Sequence, residues 1–295
     1  MPPLVSIVLA SYNQKEELER AFNSLLAQTY KNIEIIIVDD CSTDNESQSY
    51  IKWLREQHPD IVRYHLQEQN VGIPKNKNTG FRMARGEYLT YLDGDDLYYP
   101  EKIEREVGRF AASPELDVVY SNFHYVSSCQ REPTPWKGTG DEIHEGNILE
   151  YVMTRDFPGK TLYRFELIKA SVMRKIGFLD ESLVAFEDWD SRIRYSAFAR
   201  VGYCDNVGSI YNVNDQGISK RSHKADLAVQ SQRVMLKNIN LLNGRVCSCV
   251  KKEIKKKFLE KNFQQILHNT SMKERGFLYF LTKIKYILLV NGIIL

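Results

Sequence analysis

Cysteine is scarce in this chain of 295 residues, and its five cysteines are scattered. An odd number at irregular spacing does not form a disulfide framework, and Cys247 and Cys249 have no second pair or histidine cluster to complete a zinc site. We therefore expect free thiols in a reducing compartment. The first four residues lack both the charge and the apolar stretch of a signal peptide. Together these absences predict a cytoplasmic protein.

Long apolar runs are also lacking. Residues 277–295 are strongly apolar, but Lys283 and Lys285 interrupt them, and a membrane span needs ~20 mostly uncharged residues. A helix lying on a membrane surface fits this segment, and the alternative is a helix packed on the protein itself or on another subunit. The formal net charge is only +2, yet residues 220–285 hold 16 Lys and Arg against 4 Asp and Glu. An acidic body with a basic tail predicts an anionic partner for the tail, such as phospholipid head groups, nucleic acid or an acidic protein.

The first 120 residues alternate between short apolar runs and amphipathic segments, which predict strands and helices respectively. The predicted strands are residues 4–10, 33–38, 61–66, 88–92 and 117–121. Such alternation predicts an α/β fold with a mostly parallel sheet and right-handed crossovers. Farther along, the composition predicts an irregular connection over 129–158, renewed helices over 163–210, and a basic helical region after 219.

Acidic and polar residues follow three of these predicted strands. Asp93-Gly94-Asp95-Asp96 comes directly after the strand at 88–92, Asp39-Asp40 ends the strand at 33–38, and Ala10-Ser11-Tyr12 ends the first strand. Open α/β sheets bind ligands at this carboxyl edge. Clustered carboxylates repel one another unless a cation or basic group neutralises them, so a divalent ion carrying phosphates fits the pattern. A solvated acidic turn is the alternative for the Asp93 motif considered alone.

Six motifs, in their order and spacing, resemble the family 2 glycosyltransferases of GT-A type. They are VSIVLASYN (5–13), VDDCSTD (38–44), NVG (70–72), ARGEY (84–88), LDGDD (92–96) and EDWD (187–190). The resemblance implies a GT-A domain over residues 1–219, with a donor half to about 122 and an acceptor half from about 123, followed by a basic helical region over 220–295. It implies inverting, metal-dependent transfer of a sugar from a nucleotide diphosphate donor to an acceptor hydroxyl, in surface polysaccharide or glycan biosynthesis.

The resemblance also implies roles for single residues of the donor half. Ala10 and Tyr12 flank the base of the donor, and Asp40 accepts a hydrogen bond from it. An imide N–H suits Asp40, which favours UDP or dTDP. Asp39 is expected to be structural or directed at the ribose, and Lys77 to hold a phosphate, with a solvated helix lysine as the alternative.

The remaining implied roles concern the metal ion and the proton. Asp93 is expected near the ribose and a metal-bound water, and Asp95 is the expected ligand of Mg²⁺ or Mn²⁺. Asp96 is a weaker candidate for a metal ligand, because its alternative role is to cap the next helix. Asp188 matches the base that removes the acceptor proton, with Glu187 beside it, and the alternative for both is a helix start that favours carboxylates.

One position departs from the family. Asn214 stands where the family commonly has a histidine that helps to hold the metal or diphosphate, and His223 lies farther on as a substitute. This departure keeps open a non-catalytic protein of the same fold. A sugar nucleotidyltransferase is the other alternative, although it would need a glycine-rich basic loop after the first strand. The expected acceptor is a glycan or a lipid-linked sugar at the inner face of the membrane, and nucleic acid is not the expected partner.

Overall fold

The computed structural model describes residues 2–44, 46–127, 132–213, 224–245 and 251–256. Within these ranges the chain forms an α/β domain around one mixed sheet. The strands are β1 (Val5–Ser11), β2 (Ile33–Asp39), β3 (Val62–Leu66), β4 (Tyr88–Asp93), β5 (Leu97–Tyr98), β6 (Val118–Ser127), β7 (Thr134–Pro135), β8 (Leu167–Lys169) and β9 (Val201–Val213). The helices are α1 (Lys15–Leu26), α2 (Glu46–Gln57), α3 (Ile73–Met83), α4 (Lys102–Ala112), α5 (Leu149–Thr154), α6 (Ala170–Ile176), α7 (Glu187–Ser196) and α8 (Lys224–Asn238), with short 3₁₀ turns at Pro158–Lys160 and Ile239–Leu242.

The strand order across the sheet is β3-β2-β1-β4-β8-β6-β9-β5, and β7 pairs with β6. The strands from β3 to β4 are parallel, β8 runs antiparallel to both β4 and β6, and β6 is again parallel to β9. This confirms the mostly parallel α/β sheet and the first four predicted strands. Neighbouring residues of β1 face opposite ways, so that Ile7 and Val8 belong to different apolar clusters on the two faces. Helices therefore cover both faces of the sheet.

The prediction of helices throughout 163–210 is wrong at Leu167–Lys169, which forms β8, and at its end, where Val201–Val213 forms a long strand. Two glycines explain the second difference, since each costs about 1 kcal/mol relative to alanine inside a helix. They also permit close packing: a Cβ atom would lie 2.5 Å from a Leu116 methyl at Gly202 and 2.4 Å from the Ser121 hydroxyl at Gly208. Pairing with β6 along the strand then supplies its backbone hydrogen bonds.

The first part of the basic region packs on the domain. Val234 and Met235 of α8 are fully buried in the main apolar cluster. Asn238 donates a hydrogen bond to Asp190 of α7 at 2.8 Å, and the Lys237 ammonium lies 2.9 Å from the same carboxylate. In the described ranges, no helix is both long and apolar enough to cross a membrane. Residues 277–295, the segment predicted to associate with a membrane, lie outside the described residues.

Candidate active site

Three loops at the carboxyl ends of β1, β2 and β4 lie side by side. Ser11 is paired with Asp39 across β1 and β2, and Ala10 with Asp93 across β1 and β4. The turn at Gly94 approaches the first loop so closely that a Cβ atom there would lie 2.9 Å from the Ala10 carbonyl oxygen. Glycine is required at this turn for that reason. The predicted convergence of polar clusters on one edge of the sheet is therefore confirmed.

Asp39 and Asp40 are both buried, and both hold loops at this edge. Asp39 accepts hydrogen bonds from the Ser42 amide at 2.8 Å and from the Ser42 hydroxyl at 2.5 Å. Asp40 accepts from the amides of Val71 and Gly72 at 2.7 and 3.0 Å. Burial raises the pKa of Asp40, and these two donors offset part of the rise. The two carboxylates thus shape the walls of the edge before any ligand is considered.

Tyr12 is displayed at the end of β1 with 45% of its surface exposed. The loop that carries it is fixed by Asn13, whose amide donates to the Ser42 hydroxyl at 2.8 Å. The Asn13 side-chain oxygen accepts from the Thr43 amide at 2.7 Å. An exposed aromatic ring on a fixed loop is suited to stacking on a planar ligand group.

Lys77 and Asp93 form a buried ion pair. The Lys77 ammonium lies 2.7 Å from Asp93 Oδ1 and 4.3 Å from the centroid of the Tyr91 ring, and the lysine is 4% exposed. Burial alone would lower the pKa of Lys77, but Asp93, Tyr91 and Glu187 outweigh it and the pKa is raised. Lys77 is therefore charged and holds Asp93 in place.

The end of β9 clamps the acidic turn. Asn212 donates from its side chain to the Asp95 carbonyl at 2.5 Å and from its amide to Asp96 Oδ1 at 2.7 Å. Asp96 therefore ties two strands together instead of capping the next helix. Burial, followed by the charges of Asp93 and Asp95, raises the pKa of Asp96 well above its usual range. Asn214, two residues beyond Asn212, lies outside the described residues.

Asp188 stands in the first turn of α7, with 32% of its side chain exposed. Its Oδ2 lies 2.6 Å from Arg192 Nη1, and its Oδ1 accepts a hydrogen bond from the Trp189 amide at 2.7 Å. Burial would raise the pKa of Asp188, but Arg192 and then Arg164 hold it well below its usual range. This carboxylate stays ionised and reaches solvent, so it is able to accept a proton from a ligand.

Arg192 is the centre of a buried network beneath Asp188, and only 1% of the arginine is exposed. Its guanidinium forks onto Glu166 with N–O distances of 3.0 and 2.8 Å and donates to the Tyr91 hydroxyl at 3.1 Å. The Tyr195 hydroxyl donates to Glu166 at 3.0 Å. This Arg192 network (Arg192, Glu166, Asp188, Tyr91 and Tyr195) connects helix α7 with strand β4.

Of the Arg192 network, the sequence analysis identified only Asp188. The i,i+4 spacing of Asp188 and Arg192 is a readable signal of a helical ion pair. Glu166 gave no signal, because its partner lies 26 residues away and only the fold brings them together.

Glu187 lies next to Asp188 and, together with Lys77, lines a small cavity of about 20 Å³, which has room for a single water molecule. The apolar part of its wall consists of Phe81, Ile168, Met173 and Leu179. Burial and the charge of Asp188 raise the pKa of Glu187 to about 7. Glu187 therefore changes its charge near neutral pH, whereas Asp188 does not.

The acidic turn suits a cation that takes most of its ligands from phosphates and water. In the described part of the chain, no three His, Cys, Asp or Glu side chains are grouped to hold a metal by themselves. Asp96 Oδ2, however, is buried beside the other two carboxylates with no hydrogen-bond partner. Mg²⁺ commonly uses one or two carboxylates together with substrate phosphates. The donor set at Asp93 and Asp95 fits that use.

We predict that Arg192→Met lowers the free energy of unfolding by about 3–5 kcal/mol, because Glu166 and Asp188 lose the charge that compensates them. Urea denaturation measures this change. Arg105→Met is the control: it removes an exposed helical ion pair with Glu101 and should change stability little.

A double variant tests the cause of this loss. Adding Glu166→Gln to Arg192→Met neutralises one uncompensated buried carboxylate, so part of the lost stability should return. A double variant that is less stable than Arg192→Met would contradict the ion-pair account.

Comparisons with known sequences agree with this architecture. The chain matches the model of Glycosyl transferase family 2 over residues 6–171. An uncharacterized glycosyltransferase of Rickettsia prowazekii is 29% identical over 99% of this chain and 93% of that protein. Another, from Rickettsia typhi, is 32% identical over 76% of this chain and 65% of that protein.

Solved structures show the same fold. A crystal structure of S. aureus TarS in complex with UDP-GlcNAc has a TM-score of 0.72 and 19% identity, covering 97% of this chain and 81% of that one. A mannosyltransferase from Pyrobaculum calidifontis in complex with GDP-Man and Mn²⁺ has a TM-score of 0.58 and 15% identity, covering 99% and 84%. The fold is therefore that of the GT-A glycosyltransferases. Because the family model covers more than half of its length, the chain belongs to glycosyltransferase family 2, and it is a glycosyltransferase enzyme.

Proposed function

We propose that the protein transfers a sugar, with inversion and with the help of a divalent cation, from a nucleotide diphosphate donor to an acceptor hydroxyl. The observation that carries this proposal is the Arg192 network, which joins the ionised Asp188 to the strand that ends at Asp93. A general base and a donor-binding edge within one cleft are what such a displacement needs.

The donor half supports binding of a nucleotide at the edge of β1, β2 and β4. Tyr12 is the proposed stacking surface for the base, next to Ala10. Asp40 is the proposed acceptor of a hydrogen bond from the base, which favours UDP or dTDP over GDP. The related folds are known with UDP, UDP-GlcNAc or GDP-Man. Asp39 supports the loop that carries this site.

The proposed metal ion is Mg²⁺ or Mn²⁺, with Asp95 as its protein ligand and Asp93 near the ribose and a metal-bound water. Such an ion would neutralise the charge that gathers on the leaving nucleoside diphosphate. Lys77 acts on the donor through Asp93, because its ammonium is already engaged by that carboxylate. Asn214 is a further candidate ligand.

Asp188 is the proposed base. It stays ionised over the whole neutral range, and a third of its side chain is open to an acceptor. A single displacement, with the base on the side opposite to the leaving diphosphate, inverts the anomeric carbon. Glu187 lies close enough to tune the basicity of Asp188, because its own pKa is about 7.

The proposed acceptor is a glycan or a lipid-linked sugar, and the proposed location is the inner face of a membrane. A glycan or lipid-linked acceptor, used in surface polysaccharide assembly at the inner face of the membrane, is consistent with the family and with the basic residues after 219. Membership of family 2 argues against a sugar nucleotidyltransferase, and measurable sugar transfer would exclude a non-catalytic protein.

We predict that one nucleoside diphosphate of UDP, dTDP and GDP raises the melting temperature by a few degrees, and only when Mn²⁺ is present. Asp95→Asn should remove that shift, because the cation loses its protein ligand. Asp60→Asn, at an exposed position before the start of β3 and so at the opposite edge of the sheet, is the matched control and should retain it. A shift that is independent of both Mn²⁺ and Asp95 would contradict the proposed metal site.

We predict that Asp188→Asn lowers kcat by about 10²- to 10⁴-fold with donor affinity nearly unchanged, because the base is needed only for attack.

We predict that Glu187→Gln remains active but loses the rise of kcat/KM near neutral pH. In the wild type, ionisation of Glu187 as the pH rises through about 7 adds a negative charge that makes Asp188 a stronger base, so kcat/KM rises.

Glu115→Gln, at an exposed position, is the control for this pH profile and should keep the wild-type shape. If Glu187→Gln abolishes transfer while Asp188→Asn retains it, Glu187 is the base and the proposed assignment is wrong.

A further inference from the structure

Three arginines surround Asp188, and only one of them is paired. Arg192 is bound to Glu166 and Asp188, as described above. Among the described residues, the side chains of Arg155 and Arg164 form no ion pair and donate no hydrogen bond, and the Nε atom of each is buried without a partner. Buried guanidinium N–H groups that lack an acceptor are costly, so these two side chains indicate a missing anionic ligand.

Aromatic contacts fix where the two guanidinium groups lie. The Arg164 guanidinium carbon is 3.8 Å from the centroid of the Tyr211 ring, next to Asn212, which clamps the acidic turn. The Arg155 guanidinium carbon is 5.7 Å from the Trp189 ring, and Trp189 follows Asp188 directly. The two arginines therefore lie within the cleft that contains Asp188, one toward the donor edge and the other toward the acceptor half.

The guanidinium groups of this cluster carry like charges close to one another. Arg192 is paired with Glu166 and Asp188, whereas Arg164 is attracted by Asp188 and by Asp96 of the acidic turn without forming an ion pair with either. Burial lowers the pKa of Arg155, and the like charges of Arg164 and Arg192 add to that effect, although Asp188 opposes it. An anion that binds between Arg155 and Arg164 would offset the repulsion between them and supply the acceptor that their Nε–H groups lack.

We propose that Arg155 and Arg164 form a subsite for a phosphate group of the acceptor. The proposal rests on the proposed function, because it assigns Asp188 to the acceptor hydroxyl. Arg155 follows α5 directly, in the acceptor half of the chain, and approaches Trp189 beside the base. In the proposed function, a cation held by Asp95 would neutralise the donor diphosphate, so that the diphosphate does not need these arginines. A planar guanidinium group can donate two parallel hydrogen bonds to the oxygens of one phosphate, and an uncharged sugar would not need two such groups.

The acceptor on this account carries its phosphate close to the hydroxyl that is glycosylated. Such a phosphate occurs in a phosphorylated glycan and in a lipid-linked sugar, and both present the same oxygen atoms to the arginines. The two arginines would bind the phosphate and so hold the acceptor in place. The Asp188 carboxylate would then remove the proton from the attacking hydroxyl.

Titration of methyl phosphate followed by phosphorus NMR tests the subsite on the full-length protein, first alone and then saturated with UDP and Mn²⁺. We expect binding in both states, weakened roughly tenfold or more by Arg155→Gln or by Arg164→Gln and lost in the double variant. Arg174→Gln, at an exposed position, is the control and should bind like the wild type.

The two states of the enzyme separate the possible outcomes. If UDP with Mn²⁺ displaces methyl phosphate from the wild type, the arginines belong to the donor site and the proposal is overturned, even if the variants do not fold. Binding that survives in the folded double variant also overturns it. If UDP does not bind but methyl phosphate does, the proposed donor site fails and the phosphate subsite stands. Vesicles that contain phosphatidic acid, compared with phosphatidylcholine alone for both the wild type and the double variant, then distinguish a phosphate on a lipid from one on a soluble glycan, because both proteins keep the basic residues after 219 and only the wild type keeps the two arginines.

Discussion

The contact of Arg192 with two carboxylates is the constraint on which the rest of the site depends. The arginine is buried, and it is tolerable there only because Glu166 and Asp188 share its charge and Tyr91 accepts a further hydrogen bond. Glu166 comes from the chain before β8, Asp188 from α7 and Tyr91 from β4. A single side chain thus joins the acceptor half of the domain to the strand that carries the acidic turn.

Strand β4 connects the Arg192 network to the donor edge. The ring of Tyr91 lies under the Lys77 ammonium, which in turn holds Asp93. From the other side, Asn212 of β9 holds the backbone at Asp95 and the side chain of Asp96. The acidic turn is therefore fixed before a cation or donor binds, which reduces the entropy that binding must overcome. The neighbouring carboxylates of Glu187 and Asp188 have opposite pKa shifts. Burial raises the pKa of Glu187, whereas the charge of Arg192 lowers that of Asp188.

Much of the donor edge could be predicted from local sequence. Buried parallel strands are continuous apolar runs, and the polar residues that follow them meet at one edge of the sheet. Tyr12, Asp40 and Asp93 could therefore be placed at the same edge from the sequence alone. The strand Val201–Val213 could not, because it depends on pairing with β6 and on two glycines that press against other segments. Glu166, Arg155 and Arg164 were equally invisible, since no periodicity marks a charged residue whose neighbours are brought to it only by the fold.

The central claim is that a nucleotide and a divalent cation occupy the edge between Tyr12 and Asp95. An anomalous difference map from a crystal of the full-length protein grown with UDP and Mn²⁺ tests it most directly. The account predicts a manganese peak that joins Asp95 to the diphosphate, with the uracil ring stacked on Tyr12. A manganese peak away from Asp95, or a nucleotide bound elsewhere on the protein, would contradict it.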